Sequence, residues 1–212
     1  MATIFTEGEL TFSFGPTWQA YRYDEPSRAN FHHQWKHQGI KAVDFIAQNG
    51  NTLLLMEVKH IKANDQDSRM RLTPNADTDL LNQAKDKLSA ANLFNPEEHR
   101  RLELVSTRPY LVDEVAKKTK DTLIGLLASH RNNDQPLSAY NQPLNLSQKR
   151  IVLMLFLERS DVLNQAQHFQ PLATNLKLAI EQKTSFLGKI GVTVNNSLTL
   201  HPKFDITATP TP

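Results

Sequence analysis

Asn49-Gly50 separates two runs rich in β-branched and aliphatic residues, Ile40 to Gln48 and Thr52 to His60, and nothing else in the chain constrains the fold as strongly. Asn-Gly between apolar runs marks a tight hairpin, because its turn takes up positive φ. With Asn49 and Gly50 as the central residues, Gln48 pairs with Asn51, Ala47 with Thr52 and Asp44 with Leu55. Side chains alternate along a strand, so Asp44, Leu55, Glu57 and Lys59 share one face. Asp44 and Glu57 are then diagonal neighbours, roughly 7–8 Å apart at the backbone. A one-residue slip would put them on opposite faces.

The second run, Leu53-Leu54-Leu55-Met56, is apolar on both faces, as in the middle of a sheet. A glutamate and a lysine at the end of such a strand are costly to bury unless paired or bound to something. Two carboxylates with an ammonium beside them make a hard-cation site suited to phosphodiester hydrolysis. The same three residues also satisfy a plain ion pair where the strand reaches solvent.

Elsewhere the elements are simpler. Leu10 to Phe14 alternates and ends at Gly15-Pro16, predicting a strand. Ser27 to Lys36 reads as a helix. From Ile61 the chain turns polar, and KANDQDSRMRLTPNADTD has no apolar period, so an insertion is expected over about residues 61–108 with a helix at Asp79 to Phe94. Val112 to His130 is the clearest helix. Val112, Val115, Ala116, Thr119, Leu123, Leu126 and Leu127 form its stripe, with acidic residues in the first turn and His130 and Arg131 at the end. Lys117 and Asp121 fall away from the stripe and read as solvent-facing, while Lys118 lies on its flank, within reach of the hairpin. Arg150 to Glu158 is a continuous apolar run, expected to be a central strand parallel to a hairpin strand across that helix. Leu172 to Leu187 reads as a helix and Ile190 to Leu200 as one kinked strand or two short ones. The expected organisation is one domain over 1–205 with a flexible tail, 206–212.

Asp44, then twelve intervening residues, then Glu57-Val58-Lys59, resembles the core of the PD-(D/E)xK nuclease superfamily, which has the restriction-endonuclease-like fold. The pattern departs at Val43, where the family often has proline. The resemblance implies an α/β fold with a mixed central sheet and flanking helices, in the order helix, three strands, helix, strand. It implies that Asp44, Glu57 and the backbone carbonyl of Val58 hold Mg²⁺ (or Mn²⁺), and that Lys59 assists the attacking water. Mg²⁺ favours one or two carboxylates and keeps several waters, which suits that role. Many members add an acid from a helix before the first core strand. Glu25 is best placed for this and Asp24 second, although Asp24-Glu25-Pro26 equally reads as a helix start. Gln83 resembles a glutamine that some members carry on the second core helix, but it falls in the insertion.

The implied activity is metal-dependent DNA cleavage, with RNA as an alternative substrate. So small a chain is expected to act as a homodimer or as the nuclease subunit of a larger defence or DNA-processing assembly. The rival is a non-catalytic scaffold or nucleic-acid-binding subunit of the same fold. Lys62, Arg69 and Arg71 are candidate contacts to a phosphate backbone, or a solvated charged loop.

Composition narrows the remaining classes. The absence of cysteine removes disulfides, thiolate zinc sites and thiol enzymes. No run of about 18 apolar residues is present to span a membrane, and no signal peptide opens the chain, so a cytoplasmic location is expected. The seven glycines are scattered singly and form no phosphate-cradling loop. His33 and His37 have the i, i+4 spacing of two ligands but lack the glutamate of HExxH. A net charge of +2 permits nucleic-acid binding without arguing for it.

Overall fold

The computed structural model describes residues 1–27, 30–61, 71–74, 76–93, 95–102, 109–141, 144 and 150–211. The elements run β1 (Thr3–Glu7), β2 (Leu10–Phe14), β3 (Gln19–Arg22), α1 (Phe31–Trp35), β4 (Phe45–Asn49), β5 (Thr52–His60), α2 (Ala76–Ala90), α3 (Pro96–Arg101), α4 (Leu111–Arg131) and α5 (Ser138–Asn141). There follow β6 (Arg150–Glu158), α6 (Asp161–Asn164), α7 (Ala166–Thr184), β7 (Ile190–Asn195) and β8 (Ile206–Pro210). The chain divides into two compact units, one of residues 1–62 with 115–212 and a second of residues 63–114.

The first unit is mixed α/β. Its main sheet has five strands in the order β3-β4-β5-β6-β7, antiparallel as far as β5 and parallel from β5 to β7. Nine residues of β5 pair in register with nine of β6, from Thr52 with Arg150 to His60 with Glu158. Both strands read as unbroken apolar runs because both faces are covered. On one face lies a second sheet, β1-β2-β8. Alternation in β2 turns Leu10, Phe12 and Phe14 inward against Phe45, Leu54, Met56, Val58, Val152, Met154 and Phe156. Phe12 meets Phe156 edge-on at 5.0 Å between ring centroids, and Phe5 stacks on Phe45 at 5.3 Å. The opposite face, with Leu53, Leu55, Leu153 and Leu155 fully buried, belongs to the helices. There α7 packs along β7, and α4 is tied to the β4–β5 side by Thr122 and Lys118.

Several expectations are corrected. Asn49 pairs with Thr52, so Gly50 and Asn51 are the central turn residues. Only Gly50 has positive φ (52°), the pattern of a type II′ turn with glycine first. Each strand is thereby displaced by one residue from the expected pairing. Two such displacements leave every side chain on its expected face. The segment Ile206–Pro210, expected to be loose, pairs along its length with β2 as an added antiparallel strand. The short helix α1 follows β3 rather than preceding three consecutive strands, and it spans only Phe31–Trp35, capped by the Asn30 side chain. Asp121 is buried, not solvent-facing: its Oδ2 accepts the Lys41 N–H at 3.0 Å and pairs with Lys117 at 2.6 Å. Leu127, placed in the stripe by its spacing, is about half exposed.

The second unit contains α2, α3 and the first turn of α4. Within it Arg71 is held by Glu114 at 2.6 Å. Gln83 is exposed on α2. No helix among the described residues is long and apolar enough to cross a membrane.

Candidate active site

Asp44 immediately precedes β4, and its placement is built from both sides. Its carbonyl accepts the Tyr23 N–H at 2.9 Å, while the neighbouring Val43 N–H donates to Thr122 Oγ1 of α4 at 3.0 Å. Carrying the register one residue beyond the Phe45–Met56 pair puts Asp44 directly opposite Glu57. The two carboxylates therefore meet on the helix-facing side of the sheet. Asp44 Oδ2 accepts the Val58 N–H at 2.6 Å, which fixes its orientation.

Glu57 is fully buried and Asp44 nearly so. Two ammonium groups converge on one glutamate oxygen: Lys59 Nζ and Lys118 Nζ each lie 2.6 Å from Glu57 Oε1. Lys118 also lies 3.5 Å from Asp44 Oδ1. The other oxygen, Glu57 Oε2, is buried with no hydrogen-bond partner among the described residues. Burial pushes the Glu57 carboxyl up to about 7; the Asp44 charge adds to the rise, and the two lysines only partly offset it. For Lys118 burial pulls the other way, but Glu57 and Asp44 outweigh it and hold the ammonium above its usual range.

A second acidic group flanks this centre. Arg22 pairs with Glu7 at 2.6 Å and approaches Asp24 Oδ1 at 3.8 Å, too far for a hydrogen bond. That Asp24 oxygen is buried without a hydrogen-bond partner among the described residues. Burial, then Asp44 and Glu7, push the Asp24 carboxyl up to about 6 against the pull of Lys118 and Arg22. Glu7 is also raised, by burial first and Asp44 second.

Asp44, Glu57 and Lys59 are thus brought together as the motif spacing requires. Glu25 is exposed, whereas its neighbour Asp24 is half-buried and lies close enough to Asp44 to feel its charge. Arg71 is engaged by Glu114 within the second unit, and Lys62 and Arg69 lie outside the described residues. The residue that sequence reasoning left at the margin is Lys118. Its signal is helical: Val115 and Thr122, three before and four after it, are both fully buried, so a lysine between them points inward. Glu7 and Arg22 gave no sequence signal, since strands distant in the chain bring them together.

Chemically, two carboxylates with one unsatisfied buried oxygen suit a hard divalent cation that keeps most of its waters. Among the described residues no group of three histidine, aspartate or glutamate side chains is placed to hold a metal ion together. No protein-family model, curated protein or solved structure matches this chain.

Proposed function

We propose that this protein is a metal-dependent nuclease that hydrolyses phosphodiester bonds of DNA, related to the PD-(D/E)xK nucleases. The observation that carries the reading is the meeting of Asp44 and Glu57 on one sheet face, with Lys59 next along that face and Glu57 Oε2 buried without a partner. A buried carboxylate oxygen left unsatisfied is costly, and a cation removes that cost. Asp44 and Glu57, with the Val58 carbonyl, would hold Mg²⁺ or Mn²⁺. Within a strand the carbonyl and N–H of one residue face the same edge, and the Val58 N–H faces Asp44. Bound there, the ion supplies stabilisation of charge on the phosphoryl oxygens and acidifies water.

The chain's own residues supply the rest. Lys59, with a side chain 16% exposed, stands at the solvent side of Glu57 and can orient the attacking water and offset charge on the phosphate. Lys118 keeps Glu57 closer to its ionised form, the one able to bind a cation. Asp24 takes the place that sequence alone gave to Glu25, as the further acid beside the centre.

One observation favours a second reading. Both ammoniums already sit on Glu57 Oε1, so the four groups also make a charge-balanced structural cluster, as in a non-catalytic scaffold or binding subunit. Cleavage of linear, supercoiled and single-stranded DNA, and of RNA, in Mg²⁺, Mn²⁺ and chelator separates the two. The nuclease reading expects metal-dependent products that chelator abolishes. No cleavage of any substrate, by the chain alone or with its natural partners, leaves the scaffold.

A further inference from the structure

Arg159 follows directly on the end of β6, and its guanidinium makes no hydrogen bond or ion pair among the described residues. It is partly buried, with Nε wholly enclosed and unpartnered. A cation in that position is normally paired. The adjacent carboxylate is committed elsewhere: Glu158 Oε1 accepts from Asn164 Nδ2 and Ser197 Oγ, and Oε2 from the Ser197 N–H.

The backbone of Arg159 is clamped. Its N–H donates to Asn164 Oδ1 at 3.0 Å, and its carbonyl accepts from Asn164 Nδ2 at 3.1 Å. Asn164 is itself buried and is held in turn by Asn196. This double clamp fixes where the side chain leaves the sheet. Lys59 stands beside Leu157, and the pairing continues through the Ile61 N–H to the Glu158 carbonyl. Alternation therefore puts Arg159 on the face of Leu157, Lys59 and Glu57, one strand over and just past the carboxyl ends. In sheets with parallel strands, ligands bind outside those ends.

We infer that Arg159 grips a phosphate of the nucleic-acid strand next to the one held at Asp44, Glu57 and Lys59. The planar guanidinium offers two parallel donors to phosphate oxygens, and the substrate supplies the missing counter-charge. This rests on the nuclease reading for its substrate but makes a separate claim, that one cation at the end of β6 carries binding.

The test is fluorescence anisotropy of a labelled DNA duplex in chelator, for wild type, Arg159→Gln and Arg159→Lys, across a salt series, with thermal midpoints for each. Arg159→Gln should bind about tenfold more weakly, and its log K against log salt slope should be smaller by about 1. Its thermal midpoint should hold or rise, since an unpaired, partly buried charge is removed. Arg159→Lys should keep the slope and lose part of the affinity. The inference is overturned if Arg159→Gln binds like wild type, if wild type binds no DNA, or if affinity and thermal midpoint fall together. Cleavage by wild type with unchanged Arg159→Gln binding would remove this role and leave the nuclease. Arg159-dependent binding without cleavage in Mg²⁺ or Mn²⁺ would do the reverse.

Discussion

Lys118 Nζ sits 2.6 Å from Glu57 Oε1, joining the long helix α4 to the central strand β5 at the candidate centre. The contact has a single buried acceptor that Lys59 shares. Lys118→Met should therefore raise the Glu57 protonation midpoint above about 7 and weaken divalent-cation binding most at neutral pH and below. Breaking a buried pair from one side costs about 3 kcal/mol. Chemical denaturation and a pH series of metal titrations measure the two effects. An unmoved pH dependence would show that Lys118 does not tune Glu57.

The pH dependence of stability has a definite sign. Glu57 and Asp24 are both raised in the folded state, to about 7 and about 6, from ordinary values of 4.5 and 3.8. Between the ordinary and raised values the folded state binds more protons than the unfolded one, so these groups make stability fall as pH rises from about 4 to 7. Glu57 alone contributes on the order of 3 kcal/mol to that fall. Saturating Mg²⁺ should flatten it by favouring the ionised form. Denaturant midpoints at pH 5 and pH 8, with and without Mg²⁺, give the comparison. Stability from these groups that rises over this range contradicts the assignment.

Gly125 is required by a tyrosine. A Cβ at position 125 would lie 2.4 Å from the Tyr23 hydroxyl, which is buried with no hydrogen-bond partner among the described residues. Gly125→Ala should destabilise by about 1–2 kcal/mol, overpacking outweighing the helix propensity gained. In a Tyr23→Phe background the same substitution should become neutral or stabilising by about 0.5–1 kcal/mol. A thermal-melting double-mutant cycle tests this; additive effects would contradict it.

Thr122 anchors the chain next to Asp44 through the Val43 N–H. Thr122→Val keeps the shape and leaves that buried N–H unsatisfied, at a cost of about 1–3 kcal/mol. Cleavage should fall more than stability explains, because Asp44 loses one of the supports on its flank. Thr122→Ser, which keeps the hydroxyl, should restore both.

The parts legible in the sequence were those with strong local signals. The unbroken apolar run of β6 and the 3.6-residue stripe of α4 gave those elements to within a residue, along with a parallel pairing of β6 with one strand of the hairpin, which the structure shows to be β5. The common face of Asp44 and Glu57 was also legible, although the turn was assigned one residue early. That error was harmless because both strands moved and the alternation was preserved. What the sequence hid depends on contacts distant along the chain. Ile206–Pro210 looks like a polar tail until β2 offers an edge. Asp121 looks exposed until the Lys41 N–H needs an acceptor. Lys118 and Asp24 acquire meaning only beside carboxylates contributed by other strands.

The most direct test of the central claim is single-turnover DNA cleavage in Mn²⁺ or Mg²⁺ by wild type beside Asp44→Ala and Lys59→Ala, each shown to be folded. Metal-dependent cleavage by wild type, with a rate at least roughly hundredfold slower for both variants, is the expected result. Wild type that cuts nothing, or variants that cut as fast as wild type, would contradict it.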